Sequence, residues 1–492
     1  MGDSSVTTGP RVTDPQASSC LHRPSSSSGH PAMIRVLSVV GTRPEAIKMA
    51  PIIRELNCWP NRISSRVCVT GQHRDMLDQV LEVFGLKPDH DLEVMEENQT
   101  PTQVASAVLL RLTPILRHEQ PDWVLVQGDT TTVVAASLAA FYAGVPVAHV
   151  EAGLRTHRRY RPFPEELNRR LVAVLANWHF APTLRARQNL LREGVSCDRI
   201  WVTGNSVIDA LHSVADLPTT AAVRELFHQL GLRAEAAAGS LPRGLSAANC
   251  QGRASDRGTG EVDSFRSASA KSKVGHSHIT SPHLVLVTAH RRENHGQPLH
   301  DICLALADIA ARGDVEIVYP VHPSPNVWNP VQEHLDGVTH ITLIPPLDYL
   351  SLVQVMKRAH LVLTDSGGIQ EEAPALGVPV LVLRQETERP EGVDATAARV
   401  VGTDRRHIVA ETWRLLDDPA ARARMSRGIN LYGDGRASQR IVAALLGDPV
   451  DEFSARKGCS RLGIDSPAAR PERITGMEPR PAHQEFTTED RP

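Results

Sequence analysis

Short apolar runs recur along most of this chain with helical patterns between many of them, and that alternation constrains the fold more than any other feature. The runs fall at 34–40, 66–70, 123–127, 146–150, 199–203, 284–288, 315–320, 341–344, 360–364 and 379–383. Runs that are apolar throughout and bounded by turn residues fit strands covered on both faces. Strands alternating with helices build parallel, doubly wound α/β sheets. Ten such strands, interrupted between the fifth and sixth by a stretch of different composition, predict two Rossmann-like domains around a central cleft, spanning 33–205 and 206–432.

Three segments fall outside the pattern. Residues 1–32 are rich in Ser, Pro and Thr and lack the apolar stretch of a secretory signal. Met33 stands directly before the first strand and is the expected start of translation, with the residues upstream a dispensable extension. Residues 234–281 are rich in Ala, Gly, Ser and Arg, and residues 448–492 are polar and Pro-rich. None of the three can bury enough surface to offset the entropy of ordering, so all are expected to be disordered.

Composition narrows the function classes. A chain of 492 residues can hold two to three domains, each with a substantial core. A net charge of −3 gives no support for a nucleic-acid or anionic-membrane partner. No stretch approaches the roughly 20 apolar residues of a membrane helix. The seven cysteines are scattered without metal-type spacing and read as reduced thiols of a cytoplasmic protein, with no metal site expected.

In doubly wound sheets ligands sit beyond the carboxyl ends of the strands, and here those ends are polar. After 360–364 comes Asp365-Ser366-Gly367-Gly368, opening a helix with Glu371 and Glu372 in its first turns. Glycines let the backbone approach a ligand, the bare N–H groups of a helix start favour an anion, and a carboxylate one turn on can bridge two ribose hydroxyls. After 34–40 comes Gly41-Thr42-Arg43-Pro44-Glu45-Ala46-Ile47-Lys48. Arg43 and Lys48 lie at a helix start, where cations do not suit the helix dipole, so they are expected to serve an anion in the cleft. Asp129, Glu151 and His290 each follow a strand directly, and Glu165 opens a later helical segment. Each has a plainer explanation taken alone: Asp129 as a helix cap, Glu151 as a partner of Arg155, His290 as a structural histidine, Lys48 as a solvated surface cation. Several acids and a histidine at successive strand ends point together to a catalytic cleft.

At these positions the chain resembles the non-hydrolysing UDP-N-acetylglucosamine 2-epimerases. The matching stretches include GTRPEAIKMAP (41–51), TGQHRDMLDQVL (70–81), QGDTTT (127–132), HVEAGLRT (149–156), PFPEELNR (162–169), TAHRREN (288–294), YPVHPSPNV (319–327), LTDSGGIQEEAPALGVPVLVLR (363–384) and ETERPEG (386–392), in order over about 33–447. The resemblance implies a fold of glycosyltransferase-B type, a homodimer, and a last helix, placed here at 433–447, that crosses back onto the first domain. It implies conversion of UDP-GlcNAc to UDP-ManNAc by elimination of UDP to 2-acetamidoglucal and re-addition, with no NAD or other cofactor.

By the same resemblance Asp129, Glu151 and Glu165 are the catalytic acids. Asp129 and Glu151 transfer protons at carbon 2, Glu165 tunes or orients them, and which acts as base stays open. His290 is the essential histidine, placed to stabilise the departing diphosphate. Arg43, Lys48, the N–H groups of Ser366, Gly367 and Gly368, and Arg389 contact the diphosphate or sugar side, while Glu372 holds the ribose. Three acids in one cleft are expected to raise at least one pKa. Some members bind a second UDP-GlcNAc as activator, and Gln72, His73, Arg291 and His322 lie in the corresponding motifs. The stretch 234–281 is a departure, since the family lacks an insertion of that length. Three other readings stay open: a hydrolysing relative that releases free ManNAc and UDP, a glycosyltransferase of the same fold, and a sugar-nucleotide sensor.

Overall fold

The computed structural model describes residues 33–71, 74–94, 99–232, 282–427 and 430–455. The expectations for 1–32, for 234–281, and for Gln72 and His73 lie outside these residues.

The first sheet is built from β1 (Ile34–Val40), β2 (Ile63–Val69), β3 (His90–Asp91), β4 (Trp123–Gln127), β5 (Val147–Val150), β6 (Trp178–Ala181) and β7 (Ile200–Val202), in the order β3-β2-β1-β4-β5-β6-β7. The second holds β8 (His283–Thr288), β9 (Val315–Pro320), β10 (Ile341–Ile344), β11 (Leu361–Thr364), β12 (Val380–Val382) and β13 (Ala398–Val400), in the order β10-β9-β8-β11-β12-β13. Every pairing is parallel. Each chain path starts in mid-sheet, runs outward one way, returns, and runs outward the other way. That leaves a switch point between β1 and β4 in one sheet and between β8 and β11 in the other, where crevices form.

Ten of the thirteen strands answer to the apolar runs. The other three are β3, β6 and β13. Two residues are too few for β3 to carry a pattern, His179 interrupts β6, and Arg399 sits at the centre of β13, on the sheet edge. The start of β2 also lies earlier than its apolar run, because Ser64, Ser65 and Arg66 pair with β1 on one side only while β3 joins further along, at Cys68 and Val69.

The domains are fastened by helices as well as by the chain. The helix Ser206–Ala215 packs on the helix Arg43–Asn57, and the helix Ala437–Leu445 packs on both. The core beside the first sheet therefore includes Ala210, Leu211 and Val214 from one and Ile441 and Val442 from the other. Gly204, at φ +82°, allows the close crossing, since a Cβ there would lie 3.2 Å from the Cα of Gly433. Residues 448–455, expected to begin a disordered tail, belong to the fold instead. Asp448 pairs with Arg62 at 2.8 Å, the Phe453 N–H donates to the Val202 carbonyl at 2.8 Å, and the Phe453 ring is buried. Arg440 adds a bond to the Asp451 carbonyl, so scattered contacts anchor a stretch that reads as polar. Among the described residues no helix is long and apolar enough to cross a membrane.

Candidate active site

The first switch point gathers the acids. Gln127 closes β4, and Asp129 follows with its carboxylate held by Arg169 Nη2 at 2.7 Å and its carbonyl accepting from Asn168 at 2.8 Å. The helix cap next to it is Thr130, not Asp129, with its hydroxyl accepting from the Val133 N–H. His149 sits behind the loop and donates from Nε2 to the Gly128 carbonyl at 2.7 Å, while burial brings its pKa down to about 4 and keeps it neutral.

Glu151 ends β5 in a left-handed conformation, φ +63°, which costs a side-chain-bearing residue on the order of 1–3 kcal/mol. That turn buries its carboxylate among four donors. Lys48 Nζ reaches both oxygens at 2.7 Å, Asn205 Nδ2 donates at 2.8 Å, Arg389 Nη2 at 3.2 Å, and Gln127 Nε2 also donates. Burial alone would push the pKa up, but Lys48 and Arg389 outweigh it and bring it down to about 2. The expected upward shift is thus not met at this acid. It falls instead on Glu372, raised by burial, and on two carboxylates given no role in the sequence reading, Glu45 and Glu371, which burial pushes up to about 7. Arg155, the plainer candidate partner for Glu151, is taken by Glu193 at 2.6 Å.

Glu45 bridges two strand ends. Its Oε2 accepts from the N–H groups of Gly41 (2.5 Å) and Thr42 (3.1 Å), and its Oε1 accepts from the Thr130 hydroxyl at 2.6 Å. Glu165 opens the helix Glu165–Leu175, half-buried, with Oε2 enclosed and without a hydrogen-bond partner. Its neighbour Glu166 is fully buried and pins the preceding loop by accepting from the N–H groups of Thr156 (2.9 Å) and His157 (3.1 Å).

The second switch point has the opposite character. Asp365 follows β11 and turns inward, accepting through Oδ2 from the N–H groups of His290 and Arg291, both at 2.8 Å, and from Asn294 Nδ2 at 3.0 Å. His290 stands at the end of β8 with 39% of its side chain exposed and stacks against His322 at 5.7 Å. Burial of the rest of the ring, aided by Arg291 and His295, lowers its pKa, and Asp365 opposes that. The Ser366-Gly367-Gly368 turn leads into the helix Ile369–Ala375. Glu372 is buried and accepts from the Tyr349 hydroxyl at 2.8 Å, with burial raising its pKa.

The halves meet through Arg389. Its Nε donates to Glu371 at 2.5 Å, its Nη1 to Glu388 at 2.6 Å, and its Nη2 crosses to Glu151. Gly367 lies flat against it, and a Cβ there would come within 2.7 Å of Nη1. Arg43 also crosses, donating to the Leu347 carbonyl at 2.5 Å, and Asn205 bridges Glu151 and Glu371. At the cleft mouth Arg158 faces Glu386 at 3.4 Å. The structure thus unites Asp129, Glu151, Lys48 and Arg389 in one linked cluster, and His290, Arg291 and His322 in another. Sequence reasoning missed Glu45, Glu371, Glu388, Arg169 and Asp365. All five lie inside helices or loops, where a buried charge looks like a surface one, yet ERPE and DSGG stand in stretches already marked as unusual.

Two doubly wound domains, meeting at their switch points with acids on one side and N–H groups and a histidine on the other, define an α/β protein of glycosyltransferase-B type. A family profile described as UDP-N-acetylglucosamine 2-epimerase matches residues 58–235 and 257–446. The UDP-N-acetylglucosamine 2-epimerase of Salmonella typhimurium is 49% identical over 413 residues, 84% of this chain and 98% of the relative. The crystal structure of the Neisseria meningitidis UDP-GlcNAc 2-epimerase bound to UDP-GlcNAc superposes with a TM-score of 0.73 at 42% identity, covering 84% of this chain and all of the other. That of Methanocaldococcus jannaschii, in complex with UDP-GlcNAc and UDP, gives 0.66 at 30% identity over 84% of this chain and 99% of the other. The chain belongs to the UDP-N-acetylglucosamine 2-epimerase family.

Proposed function

We propose that this protein interconverts UDP-GlcNAc and UDP-ManNAc without releasing free sugar, and that Asp129 and Glu151 move the proton at carbon 2. The observation that carries the reading is the clamp on Glu151 between Lys48 and Arg389, directly across from the Ser366-Gly367-Gly368 turn. A substrate diphosphate laid on that turn competes with Glu151 for both cations. As Lys48 and Arg389 turn to the phosphate oxygens, Glu151 loses the charges that hold its pKa near 2 and becomes basic enough to accept a proton. The C2–H pair then forms the C1–C2 double bond, the C1–O pair leaves with UDP, and 2-acetamidoglucal remains. Return of a proton to the other face of C2, with UDP oxygen attacking C1, gives the epimer. Anchoring at Arg43, Glu372 and Arg389 keeps UDP and the glycal together, since escape of either ends in hydrolysis.

Glu165 orients the acids from the start of its helix, and a second UDP-GlcNAc acts as activator near Arg291 and His322, which gives a sigmoidal rate curve. The assembly is a homodimer. Its supporting surface is the outer face of the packed helices Pro101–Glu119, Thr131–Tyr142 and Glu165–Leu175, where Leu110, Phe141, Tyr142, Leu171 and Val174 are exposed by 44–84%. The reducing cytoplasm is its compartment, a placement supported by the free thiols of Cys68, Cys197 and Cys303.

Incubation with UDP-GlcNAc followed by NMR of the products tests the reaction. A mixture of the two UDP-sugars is expected. Stoichiometric free ManNAc and UDP would assign the hydrolysing branch, and bound but unconverted substrate would remove the activity.

A further inference from the structure

We infer that Asp365 is a positioning residue for His290, holding both the backbone that carries the imidazole and the ring itself. Asp365 is fully buried, and its two oxygens differ in use. Oδ2 takes the His290 N–H, the Arg291 N–H and the Asn294 amide, which fixes the turn after β8. Oδ1 is enclosed and has no hydrogen-bond partner, and the nearest ring nitrogen, His290 Nδ1, lies 3.9 Å away. A buried carboxylate oxygen without a donor has lost its water and gained nothing in exchange. A partly exposed ring beside it can turn and supply the missing N–H.

Closing that gap fixes Nδ1–H and leaves Nε2 on the opposite edge of the ring. The logic is that of a carboxylate that sets a histidine's tautomer and supports the imidazolium without taking its proton. The other groups facing His290 are Arg291 and His295, which disfavour a positive ring, and His322, stacked on it. Among the described residues Asp365 is the one acid opposing them. The role rests on the reading above, in which His290 faces the departing diphosphate. As charge builds on that group, a positive ring held by Asp365 stabilises it.

The test is ¹⁵N-histidine NMR on the full chain together with steady-state kinetics. In the unaltered protein His290 is expected as the Nδ1–H tautomer when neutral. The opposite tautomer would overturn the inference, and this measurement needs no variant to fold. Asp365→Asn keeps an oxygen for the three turn donors and removes the charge. It is expected to lower the His290 pKa by about one unit and kcat roughly 10²-fold, with KM changed by less than about twofold. In a His290→Ala background the same change is expected to cost nothing further in kcat. An unmoved His290 pKa, or an equal loss in that background, would make Asp365 purely structural. If the unaltered protein does not epimerise, the functional reading fails while tautomer and pKa still decide the role of Asp365.

Discussion

The two switch points share one topology and opposite chemistry. At the first, the strand ends carry Asp129 and Glu151, with Glu45 reaching up from the adjoining helix start, and the neighbouring helices supply cations and hydroxyls that saturate them. At the second, the strand ends carry His290 and the Ser366-Gly367-Gly368 turn, and the acid that directly follows β11, Asp365, is turned inward onto the His290 and Arg291 N–H groups and the Asn294 amide. One domain thus holds groups that can exchange protons, and the other holds groups that can receive an anion. A doubly wound sheet offers a crevice but does not choose its chemistry. The choice lies in which residues follow the strands, and the elimination we propose needs both crevices because it takes a proton and the diphosphate from adjacent carbons.

Removing the acid from the first region has the largest expected effect. Glu151→Gln is expected to lower kcat about 10³-fold while UDP still binds. An acid-unfolding series sharpens the same point. The Glu151 pKa is about 2 in the fold against an ordinary 4.5, so its ion pairs stabilise the protein above about pH 4.5, and that contribution is lost as pH falls toward 2. The variant's stability is expected to fall less steeply over that window. A variant that matches the unaltered protein in both kcat and acid profile would break the contrast.

A smaller effect is expected from the second region. Gly367→Ala drives a methyl against Arg389, which three carboxylates hold in place. We expect a loss of about 1–3 kcal/mol in denaturant unfolding and roughly tenfold weaker UDP binding by calorimetry, since about 1.4 kcal/mol is one decade. Unchanged affinity would mean that this turn does not meet the diphosphate.

The smallest effect concerns Glu45, whose pKa of about 7 lies above its ordinary 4.5. A raised acid favours the fold when protonated, so its stabilising contribution is full below about pH 4.5 and lost as pH rises through 7. That is the reverse of the Glu151 window within the same region. Relative to Glu45→Gln, the unaltered protein is expected to lose stability between about pH 5 and about pH 8 by at most 2–3 kcal/mol, read from denaturant midpoints. A flat difference would show that its three donors fully offset its burial.

Both sheets were legible because a doubly covered strand leaves a continuous apolar run. The exceptions, the two-residue β3, β6 with its internal histidine and β13 with its central arginine, show where length, burial and edge position override that rule. The acids after β4 and β5 were legible because polar residues directly after apolar strands stand out, and the family resemblance gave them roles. Their partners were not. Arg389 stood in a marked motif, but that it would reach Glu151, Glu371 and Glu388 together follows only from two domains meeting, and no local pattern encodes that contact. The sign of the Glu151 shift failed for the same reason, since the cations that reverse it come from 103 residues upstream and 238 downstream.

The most direct test of the split between proton chemistry and anion binding is incubation with UDP-GlcNAc in deuterium oxide, with NMR of the recovered sugar nucleotides. The account predicts UDP-ManNAc carrying deuterium at carbon 2, with exchange abolished in Glu151→Gln but not in a variant weakened only in UDP affinity. UDP-ManNAc that retains its original hydrogen at carbon 2 would contradict it.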